Sequence, residues 1–183
     1  MSKLNVLEEK GYFSPNATIR PLPHNMYELT DDLFYTWHAD GFTRRIKVPK
    51  GFVYDGASIP VWGTFITWVL PWFETIHPMG AHWKAAAFHD WNWMYKGRVP
   101  YGTYDVFVGD KWVDISYVPQ LYSQVKGGMV WTFESSNRLF GRHLKELGIG
   151  KKERNTMEWA VGTWFAKRRW NEGQVPEDAR PVT

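Results

Sequence analysis

The sequence predicts an α+β fold, in which a small antiparallel sheet of β-hairpins packs on three or four helices and a second hairpin is inserted. Asp-Gly and Gly-Asp pairs between alternating β-forming residues predict the two hairpins. An alanine-rich stretch bounded by glycines and two amphipathic stretches near the C-terminus predict helices. Because the chain has 183 residues and no internal repeats, we expect one main domain, residues 31–170.

Composition excludes several kinds of site. The chain has no cysteine, so disulfides, thiolate metal sites and a thiol nucleophile are all excluded. The formal net charge is +3, and the only basic clusters (Lys151, Lys152 and Arg154, then residues 167–169) fall on predicted helices, where a solvated face explains them. We therefore do not expect nucleic acid as a partner. The 12 tryptophans exceed what a core of this size ordinarily needs, and they favour a protein interface or a surface on which a carbohydrate or a base stacks.

The N-terminal part offers little regular patterning. Residues 1–30 contain several turn-forming residues, among them Ser14, Pro15, Asn16, Pro21 and Pro23, and are predicted to be irregular with at most one short strand. This segment lacks the apolar core of a signal peptide, and no run in the chain approaches the length of a membrane span. We therefore expect a protein with neither a signal peptide nor a membrane span.

The first hairpin and the loop after it come next. Leu33–Ala39 and Phe42–Val48 flank Asp40-Gly41 and are predicted to be paired strands. After Gly51, the segment FVYDGASIP reads as a short strand that adds to the same sheet and then enters a glycine-containing loop. We expect this loop to lie near the central helix.

The central helix is predicted over residues 80–97, after an apolar stretch, residues 61–78, that suits a buried helix of about ten residues. Three consecutive alanines favour helix strongly, and Gly80 and Gly97 bracket the span. The helix is apolar on all sides, so we expect it to be buried. It carries His89 and Asp90 in its middle. Burying two ionisable groups there costs free energy unless they are paired or take part in a functional site.

The remainder of the chain predicts a second hairpin, two helices and a tail. Within residues 98–131, a projecting hairpin is predicted around Gly109-Asp110. Thr132 is a candidate N-cap for a helix over 133–147, and a single helix is predicted over 151–170. The polar residues 171–183 have the composition of a disordered tail.

The chemistry of the His-Asp pair has several interpretations. His89 is either a hydrogen-bonded core histidine or a general base, which needs Asp55 or Asn137 to orient it, because Asp90 projects about 100° around the helix. Ser58 is either a nucleophile or, with Asp55, part of a tight turn. His82 and His89 are too far apart for one metal ion, at about 10.5 Å along the axis.

Three segments together resemble a family found in bacteriophages and prophages, the DUF1353 family. They are VPKGFVYDGASIP, AAAFHDWNWMY, and SSNRLFGRHLKELG followed by WAVGTWF. Asp55, Ser58, His89 and Asp90 match the family pattern. Trp93 stands where the family has tyrosine, and Asn137 where it has aspartate. The resemblance implies phage origin, a shared site and an insertion over residues 98–131.

Two functional hypotheses follow. The first is a bacteriophage-encoded structural or virion-associated protein with an architectural His-Asp cluster, which associates with itself or with other phage structural proteins. The second is a phage hydrolase acting on a cell-envelope ester, glycan or peptide, with His89 as base and Asp55, Ser58, Asp90 and Asn137 as further site candidates. No cofactor is expected, with a divalent cation at Asp55 and Asp90 as the alternative. The expected location is the virion or the host cytoplasm.

Overall fold

Strands and helices alternate through the part of the chain that the computed structural model describes, residues 10–39, 41–55, 80–100, 102–115 and 131–173. The strands are β1 (Gly11–Phe13), β2 (Ile19–Leu22), β3 (Met26–Leu29), β4 (Leu33–Ala39), β5 (Phe42–Val48), β6 (Val53–Tyr54), β7 (Tyr104–Val108) and β8 (Lys111–Asp114). The helices are α1 (Trp83–Met94), α2 (Phe133–Glu146), α3 (Lys151–Val161) and α4 (Trp164–Glu172). With two antiparallel sheets beside these helices, the predicted α+β class is confirmed.

The larger sheet has five antiparallel strands in the order β1-β4-β5-β7-β8. The Asp-Gly hairpin forms as predicted, with β4 paired to β5 from Leu33 opposite Val48 to Ala39 opposite Phe42. Alternate side chains of β4 point into the core, so Tyr35 packs there opposite Ile46. One face of β4 therefore lies in the core, as the strand period of two requires.

Strand pairing departs from the sequence prediction in two places. The second hairpin does not project, because β7 pairs with β5, Arg44 opposite Val106, and so extends the main sheet. The strand after Gly51 was predicted to join the first hairpin, but β6 pairs with β3 in a separate three-stranded sheet, β2-β3-β6. In both cases the pairing provides hydrogen-bond partners for main-chain N–H and C=O groups, on β5 in the first case and on β3 in the second, which would otherwise lie at an open sheet edge.

The N-terminal segment is more regular than predicted. Three strands form between residues 11 and 29, where irregular structure with at most one short strand was expected. β1 lies at one edge of the main sheet beside β4, and β2 lies at an edge of the smaller sheet. Pro21 is compatible with this position because an edge strand has one side on which no N–H is needed.

Helix α1 packs against the main sheet and is buried on most of its surface, as the sequence predicted. Ala85, Ala87, Phe88 and Trp91 are at most 1% exposed. Beyond its end, Gly97 has a φ of +70°, and a Cβ built there would lie 1.8 Å from the carbonyl oxygen of Trp131. The glycine thus permits both the backbone turn and the close approach of the chain entering α2.

Helix α2 begins at the predicted cap. The Thr132 hydroxyl accepts a hydrogen bond from the Ser135 N–H at 3.2 Å, and the Ser135 hydroxyl accepts one from the Thr132 N–H at 2.7 Å. This reciprocal pair satisfies donors that a helix start leaves without partners. The single helix predicted over 151–170 is two helices, because the chain breaks at Gly162 and Thr163 restarts it as a new N-cap.

The Glu146 carboxylate connects the five-stranded sheet to α2. Glu146 accepts hydrogen bonds from the Gly11 N–H at 3.0 Å, the Tyr35 hydroxyl at 3.0 Å and the Arg142 guanidinium at 2.9 Å. Burial and the Glu146 charge raise the pKa of the Tyr35 hydroxyl, so it remains a donor to this carboxylate. Glu146 therefore connects β1 and β4 to the end of α2.

Several predicted segments lie wholly or partly outside the described residues: residues 1–9, the loop from Gly56, the apolar helix within 61–78, residues 116–130 and residues 174–183 of the tail. Among the helices described, none has both the length and the hydropathy to cross a bilayer.

Candidate functional site

His89 lies on the side of α1 that faces α2. Its imidazole ring is enclosed by two aromatic rings, with centroid distances of 5.0 Å to Trp93 and 4.6 Å to Phe140. The residue is 6% exposed. Because α1 and α2 pack directly, the ring occupies the space between them and has little contact with solvent.

Nε2 of the His89 ring is hydrogen-bonded to Asn137. Nε2 of His89 lies 3.1 Å from Oδ1 of Asn137, and the Asn137 amide nitrogen donates to the Val161 carbonyl at 3.0 Å. Since Val161 offers only an acceptor, the amide must present its oxygen to His89, and Nε2 must carry a proton. Asn137, rather than Asp55, is thus the residue that fixes the histidine tautomer.

The other nitrogen faces Asp90. Nδ1 of His89 lies 3.6 Å from Oδ1 of Asp90, which corrects the prediction that neighbouring positions on the helix keep these groups apart. Both side chains rotate about their own χ angles toward a common point, so the 100° offset of their Cα atoms does not separate them. At 3.6 Å this contact is longer than a hydrogen bond, so Nδ1 faces the Asp90 carboxyl without being hydrogen-bonded to it.

Asp90 holds a proton more tightly than an ordinary aspartate. Burial raises its pKa to about 6, His89 opposes this rise, and a hydrogen bond and charge from the Asp55 carboxyl add to it. Although 29% of the Asp90 side chain is exposed, its Oδ2 is enclosed and has no hydrogen-bond partner. Desolvation of that one oxygen explains why burial dominates.

Asp55 enters the site from the smaller sheet. It directly follows β6, which packs on α1. Asp55 is an exposed residue, and its carboxyl raises the pKa of Asp90. The Tyr54 hydroxyl beside it is buried without a hydrogen-bond partner, and its pKa is raised by burial and then by the Asp90 charge. The structure thus brings together the imidazole and the two carboxyl groups that the sequence singled out.

A family model described as a protein of unknown function, DUF1353, matches residues 27–161. The chain belongs to the DUF1353 family. The matched residues run from β3 to the end of α3 and include Asp55, His89, Asp90 and Asn137. No curated protein and no solved structure matches the chain.

Two predicted features of the DUF1353 site are not tested by the geometry. Ser58 lies outside the described residues, so its assignment as nucleophile or turn residue stays a prediction. The described residues contain no group of three or more acidic or histidine side chains arranged to hold a metal ion. A cation at Asp55 and Asp90 also depends on carbonyls of the loop that starts at Gly56, which is likewise outside the described residues.

His82 is separate from this cluster, as its spacing predicted. Its Nδ1 lies 3.9 Å from the Glu153 carboxylate on α3. His82 therefore connects α1 to α3.

Several residues of the DUF1353 site were missed from sequence. Phe140 lies one helical turn after Asn137, and this three-residue spacing could have placed both on the face toward α1. His143 lies three residues further on and is fully buried against aromatic rings, with Tyr35 at 4.1 Å between centroids. Burial holds the pKa of His143 well below its usual range, so it is neutral. The Val161 carbonyl gave no sequence signal, because any residue supplies one.

The arrangement favours holding a proton over transferring one. To act as a base through Nε2, His89 would have to release Asn137, whose amide is held in place by Val161. Nδ1 of His89 points toward the Asp90 carboxyl at 3.6 Å, and the residue is only 6% exposed. Nε2 is therefore hydrogen-bonded within the protein, and Nδ1 faces a polar group of the protein.

Proposed function

We propose that this chain is a bacteriophage-encoded structural or virion-associated protein in which the His89-Asp90 cluster is architectural. The observation that carries the proposal is the closure of the imidazole: both nitrogens face groups of the protein, and Trp93 and Phe140 cover the ring. A general base needs one nitrogen within reach of a substrate proton, whereas here Nε2 is hydrogen-bonded to Asn137 and Nδ1 faces Asp90. Phage origin is what the resemblance to the phage and prophage family implies.

The cluster connects elements that are distant in sequence. Asp55 follows β6, His89 and Asp90 belong to α1, Asn137 belongs to α2, and the carbonyl of Val161 ends α3. His89 on α1 is hydrogen-bonded to Asn137 on α2, and Asn137 is hydrogen-bonded to the end of α3, so the cluster fixes the relative positions of three helices. This role requires no substrate.

The architectural role predicts a large loss of stability on replacing the histidine. His89→Ala removes the bond to Asn137, leaves its half-buried amide oxygen without a donor, and opens a cavity between two aromatic rings. Together these effects cost about 2 to 4 kcal/mol. Urea unfolding measures the change, with His38→Ala as the control because His38 is exposed in β4. A His89→Ala variant as stable as wild type would contradict the proposal.

The assembly role is tested separately. Gel filtration is expected to show self-association, or a complex with other structural proteins of the phage, and purified particles are expected to contain the chain. A strict monomer that is absent from purified particles would remove the virion-associated function while leaving the architectural cluster intact.

One observation favours a hydrolase as the second candidate. Asp90 has a pKa of about 6, lies 3.6 Å from an imidazole, and has one oxygen without a partner, which is a proton-holding pair of the kind that hydrolytic sites use. In this case His89→Ala abolishes hydrolysis of a cell-envelope ester, glycan or peptide and leaves the melting temperature nearly unchanged. The two proposals therefore predict opposite effects of the same substitution on stability.

A further inference from the structure

A cavity of about 340 Å³ lies away from the His89 cluster, where the end of α1, the start of α2 and the face of α4 converge. This volume is at the lower end of the range for small-molecule sites. Its lining combines cations and aromatic rings: Lys96, Arg98, Lys167, Trp131, Phe133 and Trp170. The helix α4 lies beyond the residues that match the family model, so part of this cavity is outside the family's shared region.

Specific contacts hold the three walls together. The Trp131 N–H donates to the Gly97 carbonyl at 3.2 Å, which places Arg98 beside the first turn of α2. Lys167 on α4 pairs with Glu134 on α2 at 2.8 Å. The Lys96 ammonium donates to the main-chain carbonyl of Asn171 at 3.2 Å. The cavity is thus defined by contacts between elements.

The charges of the cavity are unbalanced. It contains three cations and one carboxylate, Glu134, which is already paired with Lys167. Arg98 is half-buried; its main-chain N–H donates to the Tyr95 carbonyl at 3.0 Å, and its guanidinium makes no hydrogen bond or ion pair with another described residue. A guanidinium that is partly desolvated without an acceptor is costly, and a bound anion would restore its hydrogen bonds.

The aromatic wall is ordered by ring packing. Trp170 lies edge-on to Trp93 and Phe133, at centroid distances of 5.7 and 5.9 Å. Trp131 is 3% exposed, and its indole N–H has no hydrogen-bond partner. The cavity therefore combines apolar ring surface with a guanidinium that has no partner among the described residues.

We propose that this cavity binds a sugar ring carrying one acidic group, either a carboxylate or a phosphate. Arg98 and Lys96 hold the acid, the ring packs on the aromatic wall, and Glu134 accepts hydrogen bonds from hydroxyl groups. Glu134 also disfavours a ligand with a row of phosphates, such as nucleic acid, because like charges repel. This assignment is independent of the proposed function, since it uses none of the His89 cluster.

Isothermal titration calorimetry on the full chain tests the site with four probes. Glucuronate and glucose 6-phosphate represent the two sources of the acid, glucose lacks the acid, and inorganic phosphate lacks the ring. We expect at least one acidic sugar to bind more tightly than both glucose and inorganic phosphate. Arg98→Gln should weaken that binding by about ten-fold or more, because it removes charge-assisted hydrogen bonds.

The matched control is Arg138→Gln, which removes the same charge from an exposed position on α2 outside the cavity. It should change the affinity by less than about two-fold, since a distant exposed charge is screened by salt. Melting temperatures establish that both variants are folded. The Arg98 guanidinium has no partner to lose among the described residues, so Arg98→Gln should melt at the wild-type temperature or above it.

Four outcomes would overturn the proposal. These are no binding of either acidic sugar, equal binding of glucose, equal binding of inorganic phosphate, and unchanged affinity in the folded Arg98→Gln variant. Tighter binding of a single-stranded oligonucleotide, with an affinity that falls steeply with salt, would also replace the acidic sugar by nucleic acid.

Discussion

Replacing Asp90 with asparagine is predicted to stabilise the protein at neutral pH. Folding raises the pKa of Asp90 from 3.8 to about 6, mainly through burial. The folded protein therefore binds a proton that the unfolded chain has released, and the free energy of unfolding falls as the pH rises from about 4 to about 6. Above that window the ionised carboxylate destabilises the fold.

The magnitude follows from the shift. At 1.36 kcal/mol per pKa unit, the full effect is about 3 kcal/mol. Because 29% of the side chain is exposed, solvent reduces it, and we expect about 1 to 3 kcal/mol. Asparagine keeps the shape of the side chain, donates to Nδ1 of His89 and carries no charge beside Asp55. The variant should therefore avoid the free-energy cost of the buried charge and keep the packing contacts of the Asp90 side chain.

Urea unfolding followed by tryptophan fluorescence, from pH 4 to pH 7.5, measures this effect. The stability of Asp90→Asn relative to wild type should be near zero at pH 4 and rise to its full value by pH 7. Asp110→Asn is the control, since Asp110 lies in the β7-β8 turn with a φ of +67°, which asparagine adopts readily. A difference that is constant with pH, or an asparagine variant less stable at pH 7, would refute the reasoning.

Two further predictions concern packing and the sheet-to-helix connection, and urea unfolding measures both. Gly97→Ala should cost about 3 kcal/mol or more, because its Cβ meets the Trp131 carbonyl at 1.8 Å, whereas Gly102→Ala, with a similar positive φ and open space, should cost about 1 kcal/mol. Equal losses would show that the backbone angle alone matters. Glu146→Ala should cost about 2 to 4 kcal/mol by leaving its three donors without an acceptor. Glu172→Ala, at an exposed pair, should leave the unfolding midpoint unchanged, and a comparable loss there would contradict a special role for Glu146.

Local signals were sufficient where one stretch of chain decides its own conformation. The Asp-Gly turn predicted the β4-β5 hairpin, the three alanines predicted α1, and Thr132 predicted the start of α2. The break between α3 and α4 was missed although Gly162 and Thr163 carry an N-cap signal, because the apolar stripe continued through them. In each of these cases the signal and the structure it specifies lie within a few residues of each other.

The sequence by itself determined the α+β class, the buried helix and the residues His89, Asp90 and Asp55, because turn, cap and periodicity signals act through neighbouring residues. Only the tertiary structure decided that β6 and β7 join different sheets, since pairing depends on which edge is open after the chain has folded. It also decided the state of the site: desolvation and the approach of Asp55 set the pKa of Asp90. Those quantities depend on distances between segments far apart in sequence, and a linear pattern does not contain them.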